Sequence, residues 1–441
     1  MPSRSTAFRW LLAKEWRELA ASRAWWVLLV LMGPLVGWSF ISATATYAEL
    51  SAYGANDGVG EIFSPLVGIW APTFSAVELA AVFLLPFVAI RVVAGDRQSG
   101  ALKIELQHPL PIALRMAAKA VVLLAGWTIA MVPALAAVLL WALQGGFVHV
   151  PSVLSVLAGH FFNAGITVGL ACAAAAFTEH PATAAIVTLS VTVGTWILNF
   201  VAAVQGGLWE KAADYTPTAM VGEFQHGLVR ADVVAAAIAL TLFGLALSGI
   251  WSRLGVAPRR KAYASLAAAG LTAAALTGAA FLRPAWDVSE NRMNSFPSAE
   301  EALLRTIRQP LRIEVHLAPE DPRRLDFERR VLSRLRRVVA DLRVDYVSST
   351  TSGLLEQASD HYGEIWYEML FQRRMTRATT PESARDEIFE LAGFVFPPEA
   401  EDEVFRGHPL AAEPRGARAV YYGLWPLLVA VTGTFVHRRQ T

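Results

Sequence analysis

The sequence predicts a polytopic α-helical membrane protein of about eight spans, with one extracytoplasmic α/β domain between the last two. Three observations predict it. The 441 residues are 54% hydrophobic and 17% charged, against about 25% charged in an ordinary soluble domain. More than half of the charged residues fall between Arg283 and Arg418, which leaves the rest nearly charge-free. Eight apolar runs reach the length of roughly 20 residues that a helix needs to cross a bilayer.

Those runs cover 24–46, 72–94, 117–143, 153–177, 184–204, 232–252, 263–282 and 419–437. A cleaved leader is a poor reading of the start. Its basic stretch, with Arg4, Arg9, Lys14, Arg17 and Arg23, is long, and the apolar run that follows is span-length. Orientation follows the Lys/Arg bias of short loops. The N-terminal segment, the loop with Arg97, Lys103 and Arg115, the loop with Arg253, Arg259, Arg260 and Lys261, and the tail with Arg438 and Arg439 are basic. Loops 47–71 and 144–152 carry no Lys or Arg. Both termini are therefore expected in the cytoplasm, and 283–418 outside; long domains translocate regardless of their charge. A bacterial inner membrane is the expected location.

Five blocks follow. Residues 1–23 form an interface helix, because Phe8, Leu11, Leu12, Trp16 and Leu19 share one helical stripe while Arg9, Lys14 and Arg17 lie off it. Residues 24–252 hold six spans, 253–282 a cytoplasmic linker and the seventh, and 419–441 the eighth with a basic tail. Block 283–418 reads as α/β. A helix is expected over Glu300–Ile307, strands over Leu311–Leu317, Val344–Val347 and Gly363–Leu370, and helices over Pro322–Leu342 and Pro381–Ala392. The strand–helix–strand order favours a parallel pair. Gly393 to Arg418 reads as a linker.

Several chemistries are excluded or unsupported. The five lysines never complete a G-x-x-x-x-G-K-[ST] phosphate cradle, so ATP hydrolysis by that fold is ruled out. No H-E-x-x-H, no close His/Asp/Glu cluster and no G-x-S-x-G elbow occurs. Neither a metal, a cofactor nor catalytic residues are expected. A net charge of +1 gives no field for nucleic acid.

Polar residues inside spans are candidates instead. Glu78 lies in the second span, His160 and Asn163 share one face of the fourth, and Asn199 lies in the fifth. They line either helix interfaces or a path. On the interface helix, Glu15 falls within the apolar stripe beside Trp16 and Arg17. A carboxylate so placed needs a basic partner; Arg17, Arg97 or a residue of another chain are the candidates. The loop Asp96–Pro111, DRQSGALKIELQHPLP, reads as a two-turn helix, N-capped by Asp96 or Ser99 and ended by Pro109 and Pro111. Alone it is too short to be stable, so it must pack on something.

At this stretch the chain resembles the type-2 ATP-binding-cassette exporter permeases. Their pattern E-[KR]-x-x-G-T-L-x-x-L-L-x-x-P after the second span is matched at Arg97, Gly100, Leu102 and a following proline, with Asp96 for Glu and Ala101 for Thr. Lys14-Glu15-Trp16-Arg17 is similar to the family's K-E-x-R, and Tyr215-Thr-Pro217, Glu223-Phe224 and Gly227 to its outer re-entrant segment. The resemblance covers roughly 1–252. Residues 284–437 resemble the auxiliary subunit of gliding-motility transporters, through Asp287-Val-Ser-Glu-Asn-Arg292, Ser295-Phe-Pro297 and Tyr421-Tyr-Gly-Leu-Trp-Pro-Leu427, but with a much shorter outer domain.

The resemblance implies an export permease that is driven by a separate ATPase subunit, binds no nucleotide itself and pairs with a second permease copy or a homologue in the bilayer. It implies that Asp96, Arg97, Ser99, Gly100, Leu102, Glu105, Leu106 and Pro109 dock the ATPase, that Glu15, Trp16 and Arg17 belong to the interface helix, and that Pro217, Phe224 and Gly227 mark the re-entrant segment. The motility likeness implies an alternative, an envelope-anchored scaffold or mechanical coupler without transport.

Overall fold

The computed structural model describes residues 4–52, 63–101, 103, 107, 110–205, 208–318, 321–347, 361–395 and 405–440. They divide into two compact units. One holds 1–197, 214–288 and 406–441, the other 198–213 and 289–405.

The first unit is helical, and all eight expected spans are present as helices long and apolar enough to cross a membrane. After the interface helix α1 (Arg4–Ala21) come α2 (Arg23–Ala52), α3 (Leu66–Gln98), α4 (Ile112–Leu143) and α5 (Val150–Phe177). Then follow α6 (Pro181–Gln205), whose residues from Leu198 group with the second unit, as does the six-residue α7 (Leu208–Ala213), and α8 (Pro217–Gln225). The set continues with α9 (Ala231–Trp251) and α10 (Pro258–Ala279) and ends, after the second unit, with a helix at Ala417–Arg438. Most run several residues past the apolar stretches, because helices continue into polar flanks until a breaker ends them.

Small residues set the closest crossings, as expected where no solvent drives helices together. Gly169 of α5 and Gly244 of α9 meet backbone to backbone; a Cβ on Gly244 would lie 2.3 Å from the Gly169 carbonyl carbon. On α2, Gly33 and Gly37 form a notch filled by Trp425 and Tyr421 of the last helix. Trp425 Nε1 donates to the Leu29 carbonyl at 2.7 Å, on α2, which runs on through Pro34. Tyr421 Oη donates to the Pro133 carbonyl at 3.1 Å.

At one end of the bundle, β1 (Leu228–Arg230) pairs antiparallel with β2 (Ala285–Asp287). Residues up to Val288 thus belong with the helical unit, beyond the boundary at 283 read from composition. Arg406 onward does too. There Tyr47 Oη lies 2.6 Å from the Phe63 carbonyl oxygen and 2.8 Å from that of His408, and Leu410 N donates to Ser51 Oγ.

The second unit is α/β. Helix α11 (Ser298–Leu304) precedes β3 (Leu311–Val315), a helical stretch over 322–338, β4 (Leu342–Tyr346), β5 (Ile365–Met369), β6 (Gln372–Thr376) and α12 (Pro381–Ala392). For clarity, the final helix at Ala417–Arg438 is α13. The sheet order is β4-β3-β5-β6. β3 and β4 run parallel, as the strand–helix–strand pattern predicts, and β5 and β6 are antiparallel neighbours. Alternate residues Leu311, Ile313 and Val315 are buried against Phe327, Leu335, Ile388 and Phe389, the period-two signature of a half-covered strand. α12 starts at Thr380, whose hydroxyl accepts from Ser383 N, and stops at Gly393 with φ +67°, both regular helix signals.

Candidate functional site

Among the described residues, the place where three buried charges converge is built from α1, α3 and α4. The buried side of α1 carries Glu15 and Leu19, flanked by half-buried Phe8, Leu11 and Leu12. This is the apolar stripe read from the sequence, with the carboxylate inside it. Trp16 lies at its edge and packs edge-on against Trp25, with ring centroids 6.1 Å apart; Arg17 is exposed.

The partner of Glu15 is neither Arg17 nor Arg97. It is Lys119, near the start of α4, whose Nζ is 2.7 Å from Glu15 Oε2 and also contacts Asp96 Oδ2. Lys14 closes the other side, 2.9 Å from Asp96 Oδ1, 3.1 Å from Glu15 Oε1 and 2.9 Å from Glu18 Oε1. Glu15, Asp96 and Lys119 are all at least 95% buried. Three carboxylates therefore share two ammonium groups. The odd charge sits at the rim, on partly exposed Glu18, whose pKa is pushed up to about 7 by burial, and further by the nearby Asp96 charge. The three carboxylates could come together around a metal ion, but the two lysine ammonium groups already occupy that role.

Asp96 therefore faces inward, not toward an outside partner. It also does not begin the next helix. The last segment of α3 is continuous from Leu85 through Gln98, Ser99 is its C-cap, and Gly100 turns the chain at φ +74°. Ser99 Oγ accepts a bond from Ala101 N at 3.4 Å, and Lys103 N donates to the Gly100 carbonyl. Leu102, Glu105, Leu106 and Pro109 lie outside the described residues.

Arg97, one position on, points to a third helix. Its Nη1 donates to the carbonyls of Ala175, Ala176 and Thr178, at the negative end of the α5 dipole, where a cation is favoured. Neighbouring residues of α3 thus bind α1 and α4 through Asp96, and α5 through Arg97. The end of α3 that leads to Gly100 is thus tied to α1, α4 and α5.

The remaining candidates are spread along the bundle. His160 is fully buried on α5, stacked on Phe74 with centroids 5.5 Å apart, and its Nε2 lies 3.4 Å from Gln225 Nε2. Asn163, three residues on, is buried as well. The His160 Nδ1 and Asn163 Oδ1 atoms have no hydrogen-bond partner among the described residues. Glu78 is half-buried and lines a cleft of its own. Asn199 falls in the stretch 198–213 that groups with the second unit. Pro217 is the first residue of α8, Phe224 is buried against Gly159 and Phe162, and Gly227 follows at φ +76°; its carbonyl accepts from Val288 N at 2.8 Å.

Glu18 and Lys119 are the members of the ion cluster that sequence reading missed, while Lys14 was read only as part of the Lys14–Arg17 motif. A lysine several residues inside an apolar span, in a chain with only five lysines, was the available signal. Comparison with family models, curated proteins and solved structures finds no match to this chain.

Proposed function

We propose that this chain is the membrane-spanning permease subunit of an export-type ATP-binding-cassette transporter, powered by a separate ATPase that docks on the loop 99–111. The observation that carries the reading is the ion cluster. Lys119 and Lys14 lock the interface helix to Asp96, at the end of the helix leading into that loop. A buried pair of this kind resists slippage, because parting the charges costs about 3–5 kcal/mol. Movement of the loop is then delivered to the spans instead of being absorbed locally. The basic loops at this end of the sequence favour a cytoplasmic location, and the missing phosphate cradle means that the energy enters from another chain. ATP binding would shift the balance between two arrangements of the spans, in a pair formed with a second permease copy. The second unit would then lie on the outer side of a bacterial inner membrane.

The test is co-purification of the tagged full-length chain with an ATPase encoded beside it. Association is expected, and Leu102→Glu or Gly100→Pro should abolish it while the chain still elutes as a single folded species. An association that survives both substitutions would sink the docking role, and no association by the unaltered chain would sink the permease reading.

A further inference from the structure

We infer that the cleft facing Glu78 is a binding site for an organic cation with a bulky apolar body. The cleft lies wholly within the helical unit and has a volume of about 610 Å³, inside the roughly 300–1,000 Å³ range of small-molecule sites. Its walls come from α2, α3, α6 and the first turn of α8. They are apolar, with Leu31 and Leu79 among them, and include two indoles, Trp38 and Trp196. Both indoles are exposed, Trp38 to 73%.

Within this apolar surround Glu78 is the single carboxylate among the described residues. Thr218 stands beside it, and among the described residues no Lys, Arg or His lines the cleft. Other carboxylates of the bundle are treated differently. Asp96 holds two lysines, and Asp232 holds Arg230 at 2.6 Å. A carboxylate inside a span is costly without a counter-charge, so the cleft is complementary to a cation that arrives from outside. Two indole faces add a favourable surface for a diffuse positive charge.

The identity of the cation is narrowed by what the walls offer. A hard metal ion takes about six to eight oxygen ligands, and one carboxylate with a few hydroxyls falls short. A zwitterionic lipid headgroup would bring a phosphate for which the cleft has no basic partner. A lone cation on an apolar scaffold satisfies the carboxylate and fills the remaining volume. This binding does not depend on an ATPase, so failure of the docking experiment leaves it standing.

The probe is tetraphenylphosphonium, measured by equilibrium dialysis against the full chain in phosphatidylcholine nanodiscs. Saturable binding is expected. Glu78→Gln should weaken it at least about tenfold, as loss of a desolvated charge partner does, and Glu78→Asp should stay within about threefold. Neutral triphenylphosphine oxide should not saturate. In the unaltered protein the phosphonium should protect Glu78 from dicyclohexylcarbodiimide, read by mass spectrometry, which needs no variant to fold. Discs of phosphatidylethanolamine should give the same affinity. Equal affinity in E78Q, equal uptake of the neutral compound, absent saturation or absent protection each overturns the assignment. Suppression by phosphatidylethanolamine would replace the free amphiphile with a lipid ammonium and overturn that part.

Discussion

Replacing Lys119 with methionine removes the positive charge between Glu15 and Asp96 while keeping a side chain of similar length. Two buried carboxylates then face each other. Lys14 still contacts both, but it is about a third exposed and cannot take the interior position. Breaking a buried ion pair from one side costs about 3–5 kcal/mol, and Lys14 holds the expected loss near the lower figure, about 3 kcal/mol. That is more than about a hundredfold in the folded-to-unfolded ratio. The assay is heating of the detergent-solubilised chain followed by size-exclusion chromatography. The companion variant is Glu15→Gln/Asp96→Asn/Lys119→Met, in which no charge is left stranded and the two amides can bond each other. It should recover at least half of the loss, since neutralising a whole buried cluster is often nearly free. Wild-type stability in K119M would refute the reasoning, and so would a triple variant no sturdier than the single one.

Other perturbations follow from the same geometry. Glu18 has its pKa raised to about 7, so between about pH 4.5 and 7 this group binds more proton in the folded chain than in the unfolded one, and its own contribution to stability falls as pH rises; Glu18→Gln should remove that contribution, read as the difference from the unaltered chain in melting temperatures taken from pH 5 to 8. Gly244→Leu places a side chain against the Gly169 backbone and should prevent α5 and α9 from closing, giving aggregated material on size exclusion. Tyr47→Phe strips a hydroxyl from two carbonyls and should cost about 1–3 kcal/mol. Tyr367→Phe is its opposite, because that buried hydroxyl has no partner among the described residues, and thermal melts should show no loss or a small gain.

The eight spans were legible because bilayer thickness imposes a length that local hydropathy reveals. The demand of Glu15 for a cation was legible for a similar reason, as a charge in an apolar stripe. Its partner was not, since Glu15 and Lys119 are 104 residues apart in sequence and only packing brings them together. Asp96 read as the start of a helix because Asp is a common N-cap, but nothing before Gly100 stops α3, so the residue falls on the inner face of a continuing helix. β6 escaped notice because Gln372-Arg373-Arg374-Met375 is exposed on both faces. An edge strand with no buried side has no alternation to read.

The notch formed by Gly33 and Gly37 also constrains the order in which the molecule can be completed. The bond from Trp425 to the Leu29 carbonyl joins residues 396 positions apart, so the first span must enter the bilayer with that notch open. It remains open while every other span and the whole α/β unit are synthesised. The last helix is thus a closing wedge, and a chain stopped before Arg406 should stay an assembly intermediate, recognisable by a Cys engineered at position 33 that still reacts with a membrane-soluble maleimide.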